Sequence, residues 1–424
     1  MTRIIELMNK QYAWIERLCC IYRFKYRDLV AYEKIRQKLA NTHVKAFRND
    51  KMKDMTHAEA WMSSPARLGF EDLVFSPGDG KVVDGSINLW RGWGVESKAG
   101  DVSLWNELLD HIFNGDNEMR QWFECWVAYP IQNPGIKLNT AVVFWSSQQG
   151  VGKTLIGETV GKIYGRHFSV ISATELHSEF NNWARDCQFV LGEENSSADH
   201  RADANKLKHL ITGGTVFVNE KYQPALEMKN RVNFIFTSNN PDAFHLEQHD
   251  RRFFVWAITA PRMSNEFYTS FVNWRDSGGS SALMHHLLNI DLSGFNPMAN
   301  APLTESKKEM IDISRSDVER WINETLDDDA SVKSVFGKEV ATLDELNHAY
   351  HADHPHSRCN TTAMGRALRR KYPFAQCRVA THRGRKSLVS LTNHEKWHTK
   401  DNIDWAEEYR KPASSGLSLA AMLP

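Results

Sequence analysis

The sequence lacks an excess of charge of either sign. Lys plus Arg and Asp plus Glu each number 52, so the formal net charge is zero. A uniformly basic nucleic-acid coat and a long acidic tail are both excluded, and charge informs only through its local distribution. The chain has six cysteines, Cys19, Cys20, Cys125, Cys187, Cys359 and Cys377, and no C-x-x-C pair. That spacing excludes a zinc ribbon and a disulfide framework and fits a reducing cytosol. No apolar run approaches ~18 residues, so no transmembrane helix is expected. The first residues, Met1-Thr2-Arg3-Ile4-Ile5-Glu6, lack a signal-peptide core. There is no internal repeat and no low-complexity tract.

What the chain does have is length and tryptophan. Its 424 residues suffice for roughly two to four domains with their own cores. The 14 tryptophans are scattered, as core or interface anchors would be.

The most informative stretch is Ser146-Ser147-Gln148-Gln149-Gly150-Val151-Gly152-Lys153-Thr154. It follows the apolar run Ala141 to Trp145 and precedes a helix-like segment, Leu155 to Tyr164. Strand, glycine-containing loop and helix make a cradle for nucleotide phosphates. Gln149 to Leu155 form the candidate nucleotide site: Gln149, Gly150, Val151, Gly152, Lys153, Thr154 and Leu155. Lys153 is expected to reach the β- and γ-phosphates of ATP, and the Thr154 hydroxyl to ligate Mg²⁺. Ser147 stands where such loops carry glycine, which is tolerable if its φ stays negative.

Other apolar runs alternate with helical segments: Cys187 to Gly192, Arg231 to Thr237 and Phe253 to Ile258. Continuous apolar strands between helices predict a parallel α/β sheet buried on both faces. Leu104 to Val127 reads as helical. The strand ending at Gly192 runs into Glu193-Glu194. Glu193 is assigned to the metal through water, and Glu194 to positioning the attacking water. Asn239, at the end of the next strand, can hydrogen-bond that water or the γ-phosphate. Arg251 or Arg252 can serve a neighbouring subunit's nucleotide; the alternative is an ion pair with Asp250 or Glu247. Thr215 to Val218 reads as a strand before a polar turn with Lys221 and Tyr222, a cation and a ring suited to a single strand. The alternative is an ordinary edge hairpin. Tyr22 to Arg27 interleaves basic and aromatic residues; it reads as a solvated amphipathic face or as a nucleic-acid contact.

Residues 356–390 hold nine Lys or Arg and no acid. Thr342-Leu343-Asp344-Glu345 is a capping-box pattern. Ala363 to Lys371 reads as a helix with Arg366, Arg369 and Arg370, followed by two strand-like runs flanking a turn with Arg383, Arg385 and Lys386. Helices and a basic-tipped hairpin predict a winged-helix-like DNA-binding domain. The alternative is a basic surface that docks on another subunit's acids.

The order Gln-Gly-Val-Gly-Lys-Thr, Gly-Glu-Glu-Asn, Lys-His-Leu-Ile-Thr-Gly, Phe-Thr-Ser-Asn-Asn, Asp-Arg-Arg-Phe resembles superfamily 3 AAA+ helicases, in particular the helicase part of phage primase-helicases. The resemblance implies an α/β AAA+ P-loop NTPase core with an N-terminal helical region and a C-terminal winged-helix-like domain. Its divisions fall at 1–92 (an α/β accessory region), 93–138 (a helical collar), 139–260 (the ATPase core), 261–313 (a lid and linker) and 314–424. It implies ATP and Mg²⁺ as cofactors and a homo-oligomer, usually a hexamer, on single-stranded or forked DNA. A separate primase or polymerase would be the partner. The setting it implies is the cytoplasm of a bacterial host, with the chain encoded by a phage or mobile element. An ATP-driven ring helicase is therefore the leading expectation. A DNA-dependent remodeller or loader, and an initiator with a regulatory nucleotide site, are the alternatives.

Overall fold

The structure is a computed structural model describing residues 2–48, 51–193, 200–221, 225–241, 244–247, 249–314, 317–357, 359–381 and 384–412. The chain divides into two compact units, residues 1–310 and 311–424.

The first unit is built round a five-stranded parallel sheet. The strands lie in the order Phe168–Ser172, Phe189–Glu193, Asn233–Ser238, Ala141–Trp145, Phe253–Ala257. Every residue of Asn233–Ser238 is buried. Helices cover both faces of such a sheet, so its inner strands read as unbroken apolar runs. The edge strand Phe168–Ser172 was not expected from the sequence. Of its five residues only Ile171 is buried, so its pattern carries no such run.

The helical stretch expected over Leu104 to Val127 is two helices, Ser103–Phe113 and Asn117–Gln132. Asn114 and Gly115 both take positive φ and end the first helix. Asp116 caps the second by accepting from the Met119 N–H at 3.0 Å. The apolar faces of both helices, through Trp105, Leu108, Ile112, Phe123 and Trp126, share one core with Phe144 of the sheet and Ile156 of the phosphate-loop helix.

The N-terminal part, residues 1–92, mixes short strands with short helices. A four-stranded sheet orders Asp28–Val30, Cys20–Arg23, Tyr12–Ile15 and Gly69–Phe70. A three-stranded sheet joins Leu73–Val74, Ser86–Asn88 and Val82–Val83. Strands of two to four residues are too short to register as a period of two. The hairpin Thr215–Val218/Leu226–Lys229 is as expected, and its inner residues Val216, Val218, Leu226 and Met228 pack with Ala13, Ile15 and Phe75 of this part.

The second unit runs from helix Asp317–Leu326 and helix Asp329–Val335 through a short strand, Val340–Ala341, to helices Leu343–Asp353 and Thr361–Lys371. A hairpin, Gln376–Thr381/Gly384–Ser390, follows, and Gly384–Ser390 is the middle strand of a three-stranded sheet. The expected capping box is present: Thr342 Oγ1 accepts from the Glu345 N–H, and Glu345 accepts from the Thr342 N–H. Trp397 and Trp405, from the last two helices, close the apolar face beneath Val340, Val379 and Leu388.

Candidate nucleotide-phosphate site

Parallel strands end together, and the loops leaving them share one edge. Here the Ser146 N–H donates to the Ser238 carbonyl at 3.2 Å, which ties the phosphate loop to the end of the neighbouring strand. A cleft of about 240 Å³ opens at this edge, lined by Lys153, Thr154, Ser172, Glu193, Thr237, Ser238 and Asn239. Lys153, Thr154, Glu193 and Asn239, singled out from the sequence, are thus brought together at one edge.

The loop's shape follows from two glycines. Gly150 has φ 74° and Gly152 φ 98°, left-handed values that side chains with a Cβ rarely adopt. Ser147 keeps a negative φ, so the serine in the usual glycine position costs no backbone strain. Helix Lys153–Tyr164 begins directly after Gly152, which points its first free N–H groups at the cleft. Among the loop residues Gln149 is exposed, Val151 is buried, and Leu155 packs against the main core.

Lys153 is only 8% exposed. Its ammonium donates to the Ser146 carbonyl at 3.2 Å, the Gln148 carbonyl at 3.2 Å and Asn239 Oδ1 at 3.0 Å. Its partners are neutral oxygens, and burial lowers its pKa from the ordinary lysine value. An anion at this point would complement the charge. Thr154 and Glu193 line the same cleft. Their hydroxyl and carboxylate oxygens, with the Ser172 hydroxyl, form a hard donor set of the kind Mg²⁺ takes alongside phosphate oxygens and water. Glu194 lies outside the described residues.

The arginine pair is not brought to the cleft. Arg252 is ion-paired with Asp250 at 3.0 Å, and its N–H donates to the same carboxylate at 2.8 Å. Asp250 also accepts from the Phe253 N–H at 3.3 Å. Arg252 thus pins the turn into strand Phe253–Ala257, whereas Arg251 is exposed.

Two residues that sequence reasoning missed lie against the loop instead. A Cβ built on Gly150 would stand 3.2 Å from Arg262 Nε, and one on Gly152 would stand 3.8 Å from Tyr268 Cε1. Arg262 is held by Asn265 Oδ1 at 2.6 Å and lies 5.8 Å from the Tyr268 ring centroid. Both follow the last core strand, about a hundred positions beyond the loop, and no motif marks them.

The expected nucleic-acid contacts divide in a similar way. Lys221 is exposed in the hairpin's connecting loop; Tyr222 lies outside the described residues. In the second unit, Arg366 and Arg369 are exposed on helix Thr361–Lys371 with Thr362, one face at helical spacing. Arg385 is exposed, but Lys386 donates to the Tyr409 hydroxyl at 3.0 Å and is half-buried. Arg383 and the Arg370 side chain lie outside the described residues. Among the described residues no helix is long and apolar enough to cross a membrane.

Residues 144–252 match a family model described as a family of unknown function (DUF5906). A DNA primase-polymerase of Nitratiruptor phage NrS-1 is 28% identical over 217 residues, a match covering 49% of this chain and 29% of that protein. The chain therefore aligns with less than a third of that relative's length. The apo structure of the NrS-1 C-terminal region (305–718) superposes with a TM-score of 0.65 at 19% identity, covering 92% of this chain and 98% of that one. A second apo form of the region gives 0.64 at 19% identity, covering 91% and 98%. These likenesses show a shared mixed α/β fold. They overturn the expected superfamily 3 AAA+ helicase identity and the ring-helicase function drawn from it: the curated relative is a DNA primase-polymerase. The physical reason for the error lies in the motifs. A glycine loop ending in Lys-Thr, an acidic strand end and a polar strand end are short patterns compatible with many activities, so their order does not single out a helicase.

Proposed function

We propose that the chain is the nucleotide-dependent region of a DNA-replication protein, binding a nucleoside triphosphate with Mg²⁺ at the loop Ser146 to Thr154 and hydrolysing it. The observation that carries the reading is the placement of Lys153, an almost buried ammonium at a helix N-terminus facing Glu193 and Asn239 across one cleft. The strand order, with Ala141–Trp145 between Asn233–Ser238 and Phe253–Ala257, supports a P-loop nucleotide fold. In this reading the Gly150 and Gly152 backbone wraps the phosphate chain. Lys153 moves its hydrogen bonds from carbonyl oxygens to phosphate oxygens, and ATP is the expected nucleotide.

Thr154 and Glu193 would hold Mg²⁺, which neutralises phosphate charge when bound. Asn239, which already contacts the Lys153 ammonium, orients the terminal phosphate, and Glu194 orients the attacking water. The second unit contacts DNA. Its sequence of helix, short strand, two helices and hairpin supports a winged helix, with Arg366 and Arg369 on the exposed face of its second paired helix.

Fluorescent-nucleotide binding and phosphate release test this. Wild type is expected to bind the triphosphate, and Lys153→Ala to weaken binding by at least a hundredfold, the loss of about two charge-assisted hydrogen bonds. Unchanged affinity in that variant defeats the assignment. Following the phosphorus products separates hydrolysis, which gives diphosphate and phosphate, from nucleotidyl transfer, which gives pyrophosphate.

A further inference from the structure

We propose that Tyr268 is the platform on which the base of the bound nucleotide stacks, an inference that rests on the nucleotide reading above and adds the part of the ligand that reading leaves unplaced. The cleft itself offers a base nothing to stack on. Its lining is made of hydroxyl, amide, ammonium and carboxylate side chains, with no ring among them. Such a wall suits phosphates and a hydrated cation, so the nucleoside has to be held elsewhere along the loop.

The residues that meet the loop at its glycines show where. A Cβ built on Gly152 would stand 3.1 Å from Leu108 Cδ1, 3.8 Å from Ile112 Cδ1 and 3.8 Å from Tyr268 Cε1. Two aliphatic side chains and one ring thus gather at the glycine from which helix Lys153–Tyr164 starts. Arg262 meets the loop two residues earlier, its Nε 3.2 Å from a Cβ built on Gly150. None of these four residues lines the cleft.

The Tyr268 ring is fixed before any ligand arrives. It sits in the first turn of helix Asn265–Trp274, which Ser264 caps by accepting from the Phe267 N–H at 3.1 Å. Its hydroxyl accepts from the Met263 N–H at 3.4 Å, and Phe267 meets it edge-on with ring centroids 5.6 Å apart. The ring is half-buried, so part of it stays open to solvent. The exposed Arg262 guanidinium lies 5.8 Å from its centroid, held by the neutral Asn265 Oδ1 at 2.6 Å. Phosphate oxygens make stronger, charge-assisted partners for a guanidinium than an amide oxygen does. Arg262 therefore turns to the phosphate chain and leaves the ring to the base. A ring takes any base by its face, so Tyr268 selects nucleoside triphosphates over bare phosphate chains without choosing among bases.

The test is calorimetric titration of the full chain with ATP and with tripolyphosphate, which has the phosphates and no base, each with Mg²⁺. Tyr268→Ala is expected to weaken ATP binding about tenfold and to leave tripolyphosphate at its wild-type affinity, which also shows that the loop is intact. Tyr268→Phe keeps the ring and should keep ATP. Tyr268→Leu fills the space beside Gly152 without a stacking face and should match Tyr268→Ala, so an alanine variant that fails to fold does not leave the question open. Wild-type ATP affinity in Tyr268→Leu overturns the proposal. So does an equal loss of ATP and tripolyphosphate, or a Tyr268→Phe variant as weak as Tyr268→Leu. In those three outcomes the nucleotide reading stands if Lys153→Ala loses both ligands. A wild type that binds neither ligand removes the nucleotide reading, and the platform with it.

Discussion

Replacing Lys137 by methionine isolates the cost of a lysine set into the foot of the sheet. Its Nζ donates to the Leu210 carbonyl at 2.7 Å and the Val232 carbonyl at 2.9 Å, 5.8 Å from the Phe234 ring centroid. Burial lowers its pKa from the ordinary 10.5 to about 7. A neutral amine still offers two donors to these two acceptors, so the uncharged form fits the site. The unfolded chain keeps its proton up to pH 10.5, whereas the folded chain releases it near pH 7. Between those values the unfolded state binds more protons, so stability rises with pH. Integrated from pH 7 to pH 9, the gain is on the order of 2 kcal/mol. Lys137→Met abolishes this titration and removes a donor from the Val232 carbonyl, while the Leu210 carbonyl keeps Asn230 Nδ2 at 2.8 Å, so its stability at any single pH mixes two opposed effects. The pH dependence separates them. Urea denaturation of wild type and Lys137→Met, followed by tryptophan fluorescence at pH 7, 8 and 9, should show wild type gaining about 2 kcal/mol on the variant across the range. Parallel stability profiles would refute a proton released on folding at this site.

Two further outcomes follow from exposed cations. Arg262→Ala should weaken triphosphate binding about tenfold and diphosphate binding less, with Arg262→Lys intermediate, because a guanidinium beside Gly150 gives up about one charge-assisted contact; equal effects on both nucleotides, measured by competition, would remove Arg262 from the terminal phosphate. Arg366→Ala/Arg369→Ala should lower duplex affinity and reduce the salt slope by about 2, read from anisotropy across a salt series; an unchanged slope would show that this face does not meet phosphates.

The sheet was legible because its inner strands are apolar from end to end. Ala141–Trp145 matched the expected strand at both boundaries, and Phe253–Ala257 matched to within one residue. The edge strand was hidden because only Ile171 of its five residues is buried, so no apolar run marks it. Lys153, Thr154, Glu193 and Asn239 were legible as a set because each occupies the end of a recognisable strand or the start of a helix. Arg262 and Tyr268 were not, since their nearness to the loop depends on how helix Asn265–Trp274 packs back on the core, and spacing in sequence does not encode that. For Arg252 the sequence left two readings open, service to a neighbouring subunit or an ion pair with Asp250; the pair is present, and burial of the Asp250 carboxylate shows that it holds the turn. The step from these motifs to a helicase failed at a different level, because short motifs are silent about the work done at the site they form.

The contact between Arg91–Gly94 and the far end of the phosphate-loop helix bears on what can be cut from this chain. Trp90 stacks on His167 at 4.5 Å, Trp93 meets Tyr164 at 5.3 Å, and the Gly94 N–H donates to the Ile163 carbonyl at 2.7 Å. His167 accepts from the Arg91 N–H at 3.0 Å through Nε2 and donates to the Asp186 carbonyl at 2.6 Å through Nδ1, so one neutral ring is shared between two distant stretches of chain. The span that recurs as a family, residues 144–252, contains neither Trp90 nor Trp93, lacks most of strand Ala141–Trp145, and ends before Phe253–Ala257. A peptide cut to that span would carry the nucleotide loop on a torn sheet with its helix end bare. The matched span is thus smaller than the packed unit, and fragments that keep this helix end covered must reach back at least to Trp90.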